Sequence, residues 1–188
     1  MNNTSRKTVI AICGSTKAAS TNLSLIKAVT ALAKDQFNIT LFDGLTDIPH
    51  FNPDLDTETP PATVTNFRQA LRNADGILIC TPEYAMGVPG TLKNAIDWTV
   101  SSMEFSHKPV ALITASSLGE KGHASLIETL KVIESDMLPE TQLLISFIRT
   151  KVNSEGIMHE PTKLQVMQLI DAFYGLLNNP IVDSQQVQ

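Results

Sequence analysis

The stretch Thr81-Pro82-Glu83-Tyr84-Ala85-Met86-Gly87-Val88-Pro89-Gly90-Thr91-Leu92-Lys93-Asn94-Ala95-Ile96-Asp97-Trp98 decides how this chain folds. It begins where the apolar run Gly76-Ile77-Leu78-Ile79-Cys80 stops. It ends in a segment whose Leu92, Ala95, Ile96 and Val100 are spaced as on one face of a helix. Between them, Pro82, Gly87, Pro89 and Gly90 fix or free the backbone where regular structure would otherwise continue. Two readings stand: an ordinary strand-to-helix connection, or one of the ligand loops that open α/β sheets place outside the carboxyl ends of their strands.

Outward from this stretch the strand-then-helix unit recurs. Val9-Ile10-Ala11-Ile12-Cys13 is short, apolar and largely β-branched, and reads as a strand buried on both faces. A helical pattern follows to about Asp35, with Leu25, Ala28, Val29 and Leu32 on its apolar face and Ile26 beside it. Phe37-Asn38-Ile39-Thr40-Leu41 alternates, and with Phe42 makes strand two. Residues 50–62, with three prolines and three acids, form a long connection, either a solvated surface loop or a flap over a neighbouring site. Val64, Phe67 and Leu71 mark a second helix ending near Asn73, and residues 76–80 are strand three.

Beyond the opening stretch and its helix, residues 109–114 form strand four, residues 116–123 a glycine-containing turn, and Leu126, Ile127, Leu130 and Ile133 another helix. Residues 143–148 are strand five, and Leu164, Met167, Ile170, Phe173, Tyr174 and Leu177 mark the last helix. Five short strands alternating with five helices imply a parallel sheet covered on both faces. Right-handed crossovers make it a doubly wound three-layer α/β fold. One domain over residues 1–188 is expected, its core at about 8–178 and its C-terminal tail polar.

Composition sets limits on function. Of 188 residues 43% are hydrophobic and 18% charged, which is a globular rather than a disordered balance. A net charge of −5 argues against a broad basic face for nucleic acid or anionic membrane. No apolar run approaches the ~20 residues of a membrane span. The polar start, running directly into a strand, does not read as a signal peptide. Cys13 and Cys80 each close an apolar run and read as small buried hydrophobes rather than a redox pair. His50, His107, His123 and His159 lack ligand spacing, so no metal site is expected. A reducing cytoplasm fits all of this.

The loops after strands one, three and four emerge on one carboxyl edge. The first, Gly14-Ser15-Thr16-Lys17-Ala18-Ala19-Ser20-Thr21-Asn22, brings four hydroxyls, an asparagine and one cation to a helix start. Helix N-terminal amides and hydroxyls make a phosphate cradle, although one or two of these residues could simply cap the helix. The signatures of triphosphatase and dinucleotide loops are absent.

Taken together, Gly14-Ser15-x-Lys17-x-x-Ser20-x-Asn22, Thr81-Pro82-Glu83-Tyr84 and Pro89-Gly90-x-Leu92-Lys93-Asn94-Ala95-Ile96-Asp97-Trp98 resemble the NADPH-dependent FMN reductase family. The resemblance implies a flavodoxin-like fold with sheet order 2-1-3-4-5. It implies an FMN-dependent NAD(P)H oxidoreductase that passes a hydride from NADPH or NADH through bound FMN to a flavin, quinone, azo or metal-ion acceptor by a ping-pong cycle. A flavodoxin-like electron carrier or a flavin-binding signalling module without turnover is the alternative.

By the same resemblance Ser15, Lys17, Ser20, Thr21 and Asn22 would hold the FMN phosphate. Pro82, Glu83, Tyr84 and Ala85 would pass along the flavin ring, chiefly through backbone, and Ser116, Ser117, Gly119 and Gly122 would close its other side. No side chain is named as nucleophile or general base. Two departures from the family pattern matter: Lys17 stands where Arg is usual and lacks the bidentate fork, and Ala85 and Gly87 stand where Asn and Ser are common. Tyr84 and Met86 could wall the acceptor pocket or merely pack. Asp97 and Trp98 resemble residues at the family's dimer contact, which implies a homodimer or a dimer of dimers.

Overall fold

The structure, a computed structural model, describes residues 6–181; the polar tail from Asp183 onward lies outside them. Five parallel strands form one sheet: β1 (Thr8–Cys13), β2 (Asn38–Leu41), β3 (Gly76–Thr81), β4 (Val110–Ala115) and β5 (Gln142–Ile145), in the order β2-β1-β3-β4-β5. Helices α1 (Thr21–Leu32), α2 (Ala62–Asn73), α3 (Gly90–Asp97), α4 (Glu120–Val132) and α5 (Glu160–Asn178) connect and cover it. This is the doubly wound, flavodoxin-like order expected from the sequence. A two-stranded antiparallel ribbon, β6 (Val152–Asn153) with β7 (Gly156–Ile157), was not foreseen.

The apolar strands build two cores at once because successive side chains leave opposite faces of a strand. Val9 and Ala11, Leu78 and Cys80, and Ala111 and Ile113 join α1 and α5 on one face. Ile10 and Ile12, Ile77 and Ile79, and Val110 and Leu112 meet α2, α3 and α4 on the other. Register brings Cys13 opposite Cys80 and Thr81 opposite Thr114, so the strands end nearly level and their loops share one edge. At that edge the chain leaves β1 through Gly14, whose N–H donates to the Cys80 carbonyl at 2.9 Å. A Cβ there would lie 2.2 Å from Thr81 Oγ1, so only glycine fits.

Several sequence expectations are revised. Val100 lies beyond the end of α3 and is exposed. Strand five stops at Ile145, after which Phe147 takes a left-handed conformation (φ +55°) and Ile148–Thr150 form a 3-10 turn. On α5 the buried face is Val166, Leu169, Ile170, Phe173, Leu176 and Leu177, while Leu164, Met167 and Tyr174 face solvent. Apolar residues around much of that helix fit more than one stripe, and packing on the sheet selects between them.

The largest revision concerns Trp98. Its side chain is fully buried within its own chain, its indole Nε1–H donates to the Pro49 carbonyl at 2.8 Å, and Phe51 packs edge-on against it at 5.1 Å. It is neither a dimer contact nor an exposed helix aromatic. Asn94 completes the arrangement: Oδ1 accepts from the Phe51 N–H at 2.7 Å, and Nδ2 donates to the Pro49 carbonyl at 3.0 Å. Further along, the Asp56 carboxylate accepts from Arg68 at 2.7 Å and from Ser101 at 2.6 Å, and Arg68 also donates to the Trp98 carbonyl. Burial pushes the Asp56 carboxyl up, but the Ser101 and Arg68 bonds together hold it below its ordinary value. The long connection is therefore strapped to α2, α3 and the turn after α3, and is not a flap over the cleft described next.

Candidate functional site

Loops after β1, β3, β4 and β5 converge on a cleft of about 260 Å³ at the carboxyl edge of the sheet. Ser15, Lys17, Ser20, Thr21 and Asn22 line it from the first loop, Pro82, Glu83 and Tyr84 from the second, and Ser116 and Ser117 from the third. These segments, about 30 to 100 residues apart in sequence, are brought together because β1, β3 and β4 are sheet neighbours. Ala85, Gly119 and Gly122 stand outside the lining, whereas Ile148 and Arg149, absent from the sequence reading, belong to it. A larger groove of about 680 Å³ lies elsewhere, against α3 and α4, and its walls carry none of the residues of the loop after β1.

The first loop leads into the N-terminus of α1. Ser20 is its N-cap residue, yet no side chain caps the helix there, so capping does not account for the hydroxyl cluster. The terminal amides with their partial positive charge are left for an anion. Lys17 forms no ion pair or hydrogen bond among the described residues, and its ammonium is exposed. Asn22 behaves differently from its neighbours. It is buried, with Nδ2 donating to the Ala115 carbonyl at 3.2 Å and Oδ1 accepting from the Cys80 thiol at 3.3 Å. Its side chain braces α1 against β3 and β4 rather than reaching freely into the cleft.

The second loop is built from internal bonds. Tyr84 N–H donates to the Gly87 carbonyl at 3.0 Å and Gly87 N–H returns to the Tyr84 carbonyl at 2.9 Å. The two residues between, Ala85 (φ +48°) and Met86 (φ +60°), are both left-handed, as in a type I′ turn. Such turns favour Asn-Gly, so Ala-Met carries local strain of the kind found at ligand-binding positions. Glu83 N–H is also taken, by the Ser116 hydroxyl at 3.2 Å. Of the backbone N–H groups from Glu83 to Gly87, those of Ala85 and Met86 have no partner among the described residues.

Glu83 ties two loops together. Its Oε2 accepts from the Gly122 N–H at 2.7 Å, placing a carboxylate on the first turn of α4 where the helix dipole favours it. Gly122 is needed for this fit, because a Cβ would sit 3.0 Å from the Gly87 carbonyl oxygen and 3.1 Å from Glu83 Cγ. Its close approach is to the protein chain. Gly119, left-handed at φ +99°, turns the chain into α4 and packs against Leu144. Beneath this turn His123 Nδ1 lies 2.8 Å from Thr114 Oγ1, and burial lowers the imidazole's pKa below its ordinary value.

Cys13 and Cys80 lie under the first loop. Burial raises both thiols, Cys80 well above the ordinary value with Cys13 adding to the shift, which fits packing rather than nucleophilic chemistry. Arg149 was missed because nothing local in sequence links it to Ser15 or Lys17. The signal available was only that it follows the last strand, at the same sheet edge.

Comparison with known proteins agrees with this geometry. A family model described as NADPH-dependent FMN reductase matches residues 8–148. An NAD(P)H-dependent FMN reductase of Pseudomonas aeruginosa is 32% identical over 166 residues, spanning 85% of this chain and 89% of that protein. A quinone reductase of Escherichia coli is 32% identical over 154 residues, spanning 78% and 81%. Among solved structures, FerB, a flavoenzyme NAD(P)H:(acceptor) oxidoreductase from Paracoccus denitrificans, superimposes with a TM-score of 0.79 at 27% identity, covering 93% of this chain and 98% of that one. A sheet in the order 2-1-3-4-5, a polar cleft at its carboxyl edge and a family match over most of the chain lead to one assignment: this chain belongs to the NADPH-dependent FMN reductase family of oxidoreductases.

Proposed function

We propose that the cleft holds FMN and that the protein moves electrons from NADPH or NADH to a small-molecule acceptor, a quinone before a flavin, azo dye or metal ion. The observation that carries this reading is the convergence on one cleft of the Ser15, Thr21 and Ser117 hydroxyls, the uncapped N-terminus of α1 and the unpaired Lys17. That donor set suits a phosphate monoester. FMN, when bound, supplies the two-electron relay between donor and acceptor. The chain's part is to hold the phosphate, to offer the Ala85 and Met86 amides, and to leave one face open.

At about 260 Å³ the cleft is smaller than the ~300–1,000 Å³ of sites that enclose their ligands. A cofactor of FMN's size would thus stay partly exposed, as an enzyme requires if it admits a donor and then an acceptor in a ping-pong cycle. Tyr84, 52% exposed, and Met86, 76% exposed, stand on the strained turn beside the cleft and are assigned to the acceptor pocket. Quinone is favoured because similar proteins are named quinone reductases. A cytoplasmic location is part of this proposal, supported by the supply of NADPH and NADH there.

A homodimer, or a dimer of dimers, completes the proposal. With Trp98 internal, the supporting surface is the groove against α3 and α4, where Val100, Met103 and Val132 are 56%, 60% and 81% exposed and Lys93, Asp97, Glu128 and Glu134 also line the walls. Exposed apolar side chains interleaved with both signs of charge suit a second copy of the chain. Sedimentation of the wild type and of Val132→Glu tests this: the variant is expected to sediment as the smaller species, and a wild type that is monomeric throughout removes the dimer.

One experiment addresses the function itself. An absorbance spectrum of the purified protein, followed by anaerobic titration with NADPH and NADH and then a quinone, should show a bound flavin that is bleached by donor and restored by acceptor. A folded protein that takes up no FMN sinks the reading, and bound flavin that neither donor reduces would favour a carrier.

A further inference from the structure

We infer that Arg149 is the second cation of the cofactor's phosphate cradle, acting with Lys17 from the opposite end of the sequence. The inference rests on the FMN reading above. Arg149 lines the same cleft as Ser15, Lys17, Ser20 and Thr21. Of the chain's four arginines, Arg6 donates to the Lys34 carbonyl, Arg68 pairs with Asp56 and Arg72 pairs with Glu104. Among the described residues the Arg149 guanidinium alone has no partner.

Its position is fixed by neighbours on either side. After β5, the Phe147 N–H donates to the Ser117 carbonyl at 3.0 Å and the Ile148 N–H to the Ser116 carbonyl at 3.1 Å, so this turn is bound to the third loop of the site. Ile148 and Val152 are buried in the core shared with α1, while Arg149 between them is exposed. The ribbon β6-β7 then packs on α1, the helix whose N-terminus faces the cleft. The backbone thus delivers a charged side chain to the phosphate loop, where it has no partner among the described residues.

The chemistry supplies the reason. A phosphate monoester carries about two negative charges at neutral pH, and the first loop offers a single cation, Lys17, a point charge without a fork. A guanidinium brings paired N–H donors matched to phosphate oxygens. Arg149 thus supplies the bidentate contact that a lysine at position 17 lacks.

The test is titration of FMN and of riboflavin, which lacks the phosphate, into flavin-free full-length wild type, Arg149→Gln and Arg149→Lys, followed by flavin fluorescence. The NADPH and NADH KM values of each protein are measured in parallel. Arg149→Gln is expected to weaken FMN at least tenfold and leave riboflavin unchanged, with Arg149→Lys between, and to make FMN binding less sensitive to salt. Unchanged FMN affinity in Arg149→Gln overturns the inference, as does equal weakening of FMN and riboflavin. So does a rise in KM confined to NADPH with FMN affinity intact, which would give the guanidinium to the donor's 2′-phosphate. A wild type that binds neither flavin instead overturns the functional reading on which the inference stands.

Discussion

Removing the Glu83 carboxylate should loosen the site and the fold together. Its Oε2 accepts the Gly122 N–H at 2.7 Å on the first turn of α4. The neighbourhood is close-packed, with the Gly87 carbonyl 3.0 Å from where a Gly122 Cβ would be, so water has little room to replace the lost acceptor. Glu83→Ala therefore leaves a buried N–H unsatisfied and removes a helix-terminal charge, at a cost of about 2 kcal/mol. In a chain of this length that lowers Tm by about 4–8 °C. Glu83→Gln keeps an acceptor oxygen and loses only the charge, for about 0.3–1 kcal/mol and a Tm drop of about 1–4 °C. Thermal unfolding followed by circular dichroism reads both, with Glu155→Ala as control. Glu155 is an exposed carboxylate in the turn between β6 and β7, and its loss should stay within about 0.5 kcal/mol. If Glu83→Ala melts with the wild type, or Glu83→Gln falls as far as Glu83→Ala, the capping argument is wrong.

Other consequences follow from single contacts. Trp98→Ala should cost about 3–5 kcal/mol by emptying a core position, and Trp98→Phe less; a mild effect of Trp98→Ala in urea unfolding would mean that the side chain is not internal. Gly14→Ala places a Cβ 2.6 Å from Thr81 Cβ and should destabilise by at least ~1–3 kcal/mol, a result that native-like melting would contradict. Burial disfavours the charged form of His123, so the folded state binds fewer protons than the unfolded one between the lowered pKa and the ordinary value of 6.5. Stability is accordingly full above pH 6.5 and is lost as pH falls through the lowered pKa. His123→Asn should remove that acid-side loss in unfolding measured from pH 8 to 5, and a parallel pH profile in the variant would assign the loss to other groups.

Much of the fold was legible because it rests on local patterns. Val9-Ile10-Ala11-Ile12 is apolar at every position, and a strand can satisfy such a run only by burying both faces, which calls for helices on each side. Helix boundaries were also close: Val64, Phe67 and Leu71 define one stripe, and α2 ends at Asn73 as expected. Where local pattern allowed more than one answer, as along α5, packing chose a face that periodicity had not.

The sequence alone, then, was enough for the strands, the helices and the hydroxyl-rich loop after β1, since each follows from the character of a contiguous segment, while the strand order came from the family resemblance carried by three motifs. The tertiary structure decided what individual side chains do. Trp98 and Asn94 look like part of a functional motif, yet they hold the strap at Pro49 and Phe51, some 45 residues earlier. Asn22 sits among the hydroxyl residues of the loop after β1, but its amide bonds to Ala115 and Cys80. Glu83 caps a helix that begins beyond the next strand, and Arg149 enters the site from a loop with no motif of its own. A side chain's role depends on the partner that meets it in space. Here those partners lie dozens of residues away, where no periodicity or spacing reaches.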